Sequence, residues 1–139
     1  MKMRIAFAAF ALAVAFGVTH SIAQQAPAPA GIAAKNVLRD DLKGLDGQET
    51  IMQFLEINPG AVVPWHTHPD GHEISYVVEG ELTLQEEGKD SRKLKAGEGF
   101  HIQPGTPHSA VNSGSTNAKI VVVRVNAKGK PIAVPYTKK

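Results

Sequence analysis

The 139-residue chain contains no cysteine and only one tryptophan and two tyrosines. Without cysteine there is no disulfide framework, so a folded domain has to be held by its core alone. No stretch after the first two dozen residues repeats its apolar positions at helical spacing, which excludes helical bundles and a helix-turn-helix reader of DNA. The apolar run Ile5 to Val18 is too short to span a bilayer comfortably, and no second apolar run or stop-transfer pattern follows it. Charge of one sign is also lacking. The formal net charge is +2, and two of the bases, Lys2 and Arg4, sit in the first four residues. The remainder is close to neutral, so neither nucleic acid nor a membrane surface is an expected partner.

The beginning of the chain, a short basic start, an apolar run and then small residues with Ser21 and Ala23 placed for signal-peptidase cleavage, reads as a secretory signal over residues 1–23. The expected mature protein is therefore periplasmic or secreted, with no membrane association once the signal is cleaved. Residues 24–35, with Ala-Pro-Ala-Pro at 26 to 29, read as an extended linker, and residues 36–139 as a single domain. About 115 mature residues can bury roughly two-thirds of their unfolded surface.

The stretch from Gly60 to Gly80 holds the densest chemistry. His66 and His68 lie two apart, a spacing that puts both imidazoles on one face of a strand. Pro69-Asp70-Gly71 turns the chain, and Glu73 opens an extended run that could return beside the first and bring a carboxylate to the same point. Two imidazoles and a carboxylate suit a borderline divalent metal. A His-x-His pair alone is ordinary on a strand; Glu73 and the framing glycines make it specific. Gly80, between two strand-like runs, suits a tight hairpin.

Strand patterning begins at Thr50, where Ile51, Gln53, Leu55 and Ile57 alternate with Met52, Phe54 and Glu56. It continues through 61–68, 73–79, 81–85, 91–94, 100–103, 107–112 and 118–126, separated by turn residues. Asn36 to Leu45 shows no clear pattern, and Asp40-Asp41 reads as solvated. Many short strands at hairpin spacing indicate an all-β closed or sandwich-like fold.

Gly60, His66, His68, Glu73 and Gly80 match the first motif of the cupin superfamily at its full spacing. After sixteen intervening residues, Gly97, Gln103-Pro104-Gly105, His108 and Asn112 resemble the second motif, with Gln103 where that family usually has proline. The resemblance covers residues 45 to 126. It implies a double-stranded β-helix, the cupin or jelly-roll barrel, holding one divalent transition metal (Fe, Mn, Ni or Zn) through His66, His68, Glu73 and His108. It further implies a metal-dependent enzyme of the oxygenase, isomerase, decarboxylase or lyase type, or else a binding protein, acting on a small oxygen-rich molecule. A homodimer paired through sheet edges is expected, with the apolar run Ile132 to Pro135 available either for that pairing or to cover its own barrel.

Proton handling beside a metal calls for a titratable group, and His101, Tyr76 and Glu73 itself are the catalytic candidates. His72 should face away from Glu73. Trp65, Phe54, Tyr76 and Phe100 read as core or pocket wall.

Overall fold

The computed structural model describes residues 28–138. The expected signal peptide and the first residues of the expected linker lie outside them. The described chain forms ten strands: β1 Ile32–Asp41, β2 Gln48–Ile57, β3 Val62–Thr67, β4 Gly71–Glu79, β5 Glu81–Glu86, β6 Arg92–Lys95, β7 Gly99–Ile102, β8 His108–Val111, β9 Ala118–Ala127 and β10 Val134–Pro135. Among the described residues there is no helix, and hence none long and apolar enough to cross a membrane.

Two five-stranded antiparallel sheets face each other, one ordered β1-β2-β9-β4-β7 and the other β10-β3-β8-β5-β6. This is the jelly-roll barrel expected from the sequence. Alternation along the long strands determines which side chains enter it. β9 turns Ala118, Ile120, Val122, Arg124 and Asn126 inward, β2 turns in Glu49, Ile51, Gln53 and Ile57, and β4 turns in Gly71, Glu73, Ser75 and Val77. Register aligns these series, pairing Val77 with Ile120, Ser75 with Val122 and Glu73 with Arg124.

The interior is therefore graded. Its apolar end contains Ile57, Val77, Leu82, Leu84, Phe100, Ala118 and Ile120 in one cluster. Each large aliphatic side chain there contributes about 1.5–3 kcal/mol relative to exposure, which is how a disulfide-free domain holds together. The other end is polar, and the functional side chains gather there.

Several expectations need correcting. β1 occupies residues 32–41, so its first residues fall in the stretch read as linker. It carries no alternation because nine of its ten residues are exposed on an edge strand. The turn at Gly80 is not a hairpin: β4 and β5 belong to different sheets, and the turn carries the chain from one to the other. Gly80 is required there nonetheless, with φ of +77° and room for no Cβ, which would lie 2.7 Å from the Asn117 carbonyl oxygen. Of the two roles open to the 132–135 run, it takes the one within its own barrel, since Val134 and Pro135 pair with Thr67 and His66 of β3.

Gly80→Ala should lower stability by about 2 kcal/mol or more, because strain and clash add. Gly88→Ala, at φ +75° in open space, should cost about 1 kcal/mol. Urea denaturation of the two variants checks the difference.

Candidate metal centre

His66 lies one residue from the end of β3, beyond a register shift that follows Val63, His68 follows that strand directly, and His108 opens β8. The register pairs His66 with His108. Glu73 arrives from the opposite sheet, so it reaches the histidines across the barrel and not, as expected from the turn, from a strand beside them. One ligand atom from each of the four residues lies within 4.8 Å of the others, and the ring centroids of the three histidines are 4.2–5.2 Å apart.

The orientation of the rings is determined by backbone carbonyls. His66 Nδ1 contacts the Pro64 oxygen at 2.7 Å, His108 Nδ1 the Thr106 oxygen at 2.9 Å, and His68 Nδ1 the Ile132 oxygen. A carbonyl only accepts, so each Nδ1 carries the proton and each Nε2 keeps a lone pair. The Nε2 atoms of His68 and His108 are buried with no donor to satisfy them. His68 Nε2 lies 2.9 Å from Glu73 Oε2. Nδ1 already carries the proton donated to Ile132, so a second proton or a cation has to lie between these two electron-pair donors, which otherwise repel. A cation between them removes the conflict: ligands about 2.1 Å from one ion lie about 3 Å apart when adjacent in an octahedron. Orphaned lone pairs facing a carboxylate thus form a donor set that fits a divalent transition metal.

Glu73 is 6% exposed and held on both oxygens. Ser75 Oγ donates to Oε1 at 3.1 Å and Arg124 Nη2 to Oε2 at 2.8 Å, while Arg124 Nη1 donates to Gln53 Oε1. Burial pushes the Glu73 carboxyl up, but the Arg124 guanidinium and then His68 outweigh it and hold the group well below the usual carboxylate range. Burial, reinforced by His108, lowers His66 from 6.5 to about 4, and burial lowers His108 as well. Both rings are therefore neutral at ordinary pH.

The other candidates do not join the group. Tyr76 stands three residues from Glu73, on the opposite face of β4, and is 51% exposed. It is neither pocket wall nor a group beside the centre. His101 faces outward on β7, where its Nε2 meets His72 Nδ1 at 3.0 Å. An odd spacing in a strand sends both outside. Phe100 is core as expected, while Trp65 and Phe54 are half-buried.

Arg124, Gln53 and Ser75 were not anticipated from the sequence. Arg124 had a signal: it continues, in phase, the inward series Ala118, Ile120, Val122, where a charge is out of place unless it has a partner. The contribution of the C-terminal tail had none, because it is made by the backbone. Ile132 holds His68, and Tyr136 donates its N–H to the Trp65 carbonyl.

A two-sheet antiparallel barrel with three histidines and a carboxylate converging inside defines the class of protein. The family model described as the cupin domain matches residues 53–124, and the chain belongs to that family. It is similar to a germin-like protein of Morus alba, 32% identical over 57% of this chain and 40% of that one. It is also similar to an oxalate oxidase of Triticum aestivum, 31% identical over 78% of this chain and 52% of that one. The chain thus spans about half or less of the length of these curated relatives. Among solved structures it resembles a recombinant oxalate oxidase in complex with glycolate, with a TM-score of 0.60 and 31% identity over 78% of this chain and 56% of that one. A double-stranded β-helix protein from Klebsiella pneumoniae, 23% identical with a TM-score of 0.62 over 82% of this chain and 91% of that one, shares the fold.

The lowered His66 value carries a pH dependence for the metal-free protein. The folded state takes up its proton near pH 4 and the unfolded chain near 6.5. Stability is therefore full above 6.5 and declines as pH falls through that window. Urea midpoints measured in chelator from pH 7 to pH 4 should fall for the wild type and fall less for His66→Gln. Removing residues 132–139 should leave a β-rich circular dichroism spectrum while weakening metal binding at least tenfold, because His68 loses the carbonyl that orients it.

Proposed function

We propose that the protein is an exported, metal-dependent cupin enzyme acting on a small oxygen-rich organic molecule, with His66, His68, Glu73 and His108 as the ligands of one divalent ion, Fe, Mn, Ni or Zn. The observation that carries this reading is the set of buried Nε2 lone pairs aimed, with the Glu73 carboxylate, at a single point. When bound, such an ion supplies Lewis acidity and, if redox-active, electron transfer. The protein supplies rigid imidazoles fixed by carbonyls, a carboxylate fixed by Ser75 and Arg124, and an apolar wall of Leu55, Val63, Leu84, Phe100, Ile120 and Val122 that limits water. Similarity to oxalate oxidases supports an oxidative reaction among the dioxygenase, isomerase, decarboxylase and lyase types.

Non-catalytic capture of a small molecule is the second reading, and one observation favours it. With Tyr76 and His101 outside, the cavity has no titratable side chain apart from the proposed ligands and Arg124 among the described residues. Glu73, held ionised and tied on both oxygens, is a ligand more than a proton carrier.

Export rests on the features of residues 1–23. A homodimer belongs to the same proposal. The edge strand β1 exposes Val37 and Leu38, and the outer face of its sheet exposes Ile74, Tyr76 and Val78. These support pairing through that sheet in place of the 132–135 run.

Elemental analysis of protein made in metal-supplemented medium should show one ion per chain, with binding weakened at least 100-fold in His66→Ala and His108→Ala. Wild-type protein purified gently and holding no metal would overturn the metal-dependent reading. Oxygen uptake or an ultraviolet change on incubating the loaded protein with catechols, keto acids or unsaturated sugar acids would favour the enzyme, and silence across the panel the binder.

A further inference from the structure

We infer that Arg124 makes the metal-centre cavity selective for small carboxylates and is the residue that receives their charge; this rests on the metal-binding reading above. Arg124 projects inward from β9 between Glu73 on β4 and Ile51 on β2, and is only 8% exposed. A guanidinium at an interior strand position is costly unless its charge and donors are met. Two of its five N–H donors are used, toward Gln53 and Glu73. Its Nε is buried without an acceptor, and the side chain lines the same cavity as His66, Glu73 and His108.

Charge balance points the same way. In the cavity the Glu73 carboxylate is the one negative group, and Arg124 already matches it. The other buried acids are engaged elsewhere, Glu49 by Arg39 at 2.7 Å and Glu86 by Lys89 at 2.6 Å and Arg92 at 3.3 Å. An imidazole that ligates a metal does so through a deprotonated nitrogen and so brings no charge of its own. A divalent ion therefore enters with both of its charges uncompensated by protein, in a low-dielectric setting where they act strongly. The ligand has to bring the negative charge. A carboxylate also brings two acceptor oxygens in the planar geometry a guanidinium matches, whereas a polyol, ketone or amide of the same shape brings lone pairs alone. The cavity is small, about 30 Å3, which favours small ligands over large ones.

The alternative is that Arg124 only braces Glu73, and the two roles differ in what they distinguish. Loss of a brace disturbs the centre and weakens charged and neutral ligands alike. Loss of a receptor for the anion falls on the charged ligand and removes the preference for it over its neutral isostere.

The experiment uses full-length mature protein loaded with Co(II), whose visible absorption reports on the centre, titrated with acetate and with its neutral isostere acetamide. The wild type should bind acetate at least tenfold more tightly than acetamide. Arg124→Gln, compared at saturating Co(II), should lose at least tenfold in acetate affinity with acetamide affinity little changed, and Arg124→Lys should recover part of the loss. Equal binding of acetate and acetamide by the wild type would overturn the inference and leave the metal centre standing, as would parallel loss of acetate and acetamide affinity in Arg124→Gln. A wild type that takes up no Co(II) would overturn both. Should Arg124→Gln fail to fold by circular dichroism, the isostere comparison and Arg124→Lys decide.

Discussion

One cross-strand contact inside the barrel, Glu73 of β4 against Arg124 of β9, constrains much of what surrounds it. Two opposite charges nearly excluded from water are tolerated only while each keeps the other, so the register between these strands cannot slip by even one residue. A one-residue shift would send one charge outside and leave the other alone in the interior. The same register places Val77 on Ile120 at the apolar end, so the core and the polar end are aligned by one alignment of strands.

The graded interior follows from alternation combined with chain direction. β2, β4 and β9 each carry polar residues at one end of their inward series and apolar ones at the other, and antiparallel pairing brings like ends together. The sheet carrying β8 and β5 does the same, with Ala110 beside Leu84 and His108 beside Glu86. The apolar half supplies stability, and the polar half can then hold groups that would unfold a smaller domain. Division of labour within one barrel explains how about 110 residues without disulfides accommodate a buried arginine, three buried glutamates and two buried histidines.

Much of this was legible in the residues. His66 and His68 at strand spacing, and Glu73 after a turn, identify themselves, whereas His108 is placed only through the resemblance to cupins, since nothing local connects it to Glu73. The approach of Glu73 from the opposite sheet was not legible, because a turn of the same composition serves a hairpin or a crossing between sheets. Tyr76 and His101 were proposed on chemistry, although the odd spacing of Tyr76 from Glu73 already puts it outside. β1 left no trace because an edge strand exposed on both faces needs no pattern. Arg124 was legible and passed over: a charge in phase with buried valines and isoleucines asks for a partner.

The tail beyond β9 deserves a last consequence. The ring of His68 takes its orientation from the carbonyl of Ile132, which lies beyond the last long strand. A chain folded only as far as β9 has the imidazoles but not the strap that aims them. The four side chains become a matched set only once the segment after β9 has closed against β3, so local fraying of that short pairing loosens the polar end while leaving the apolar end intact.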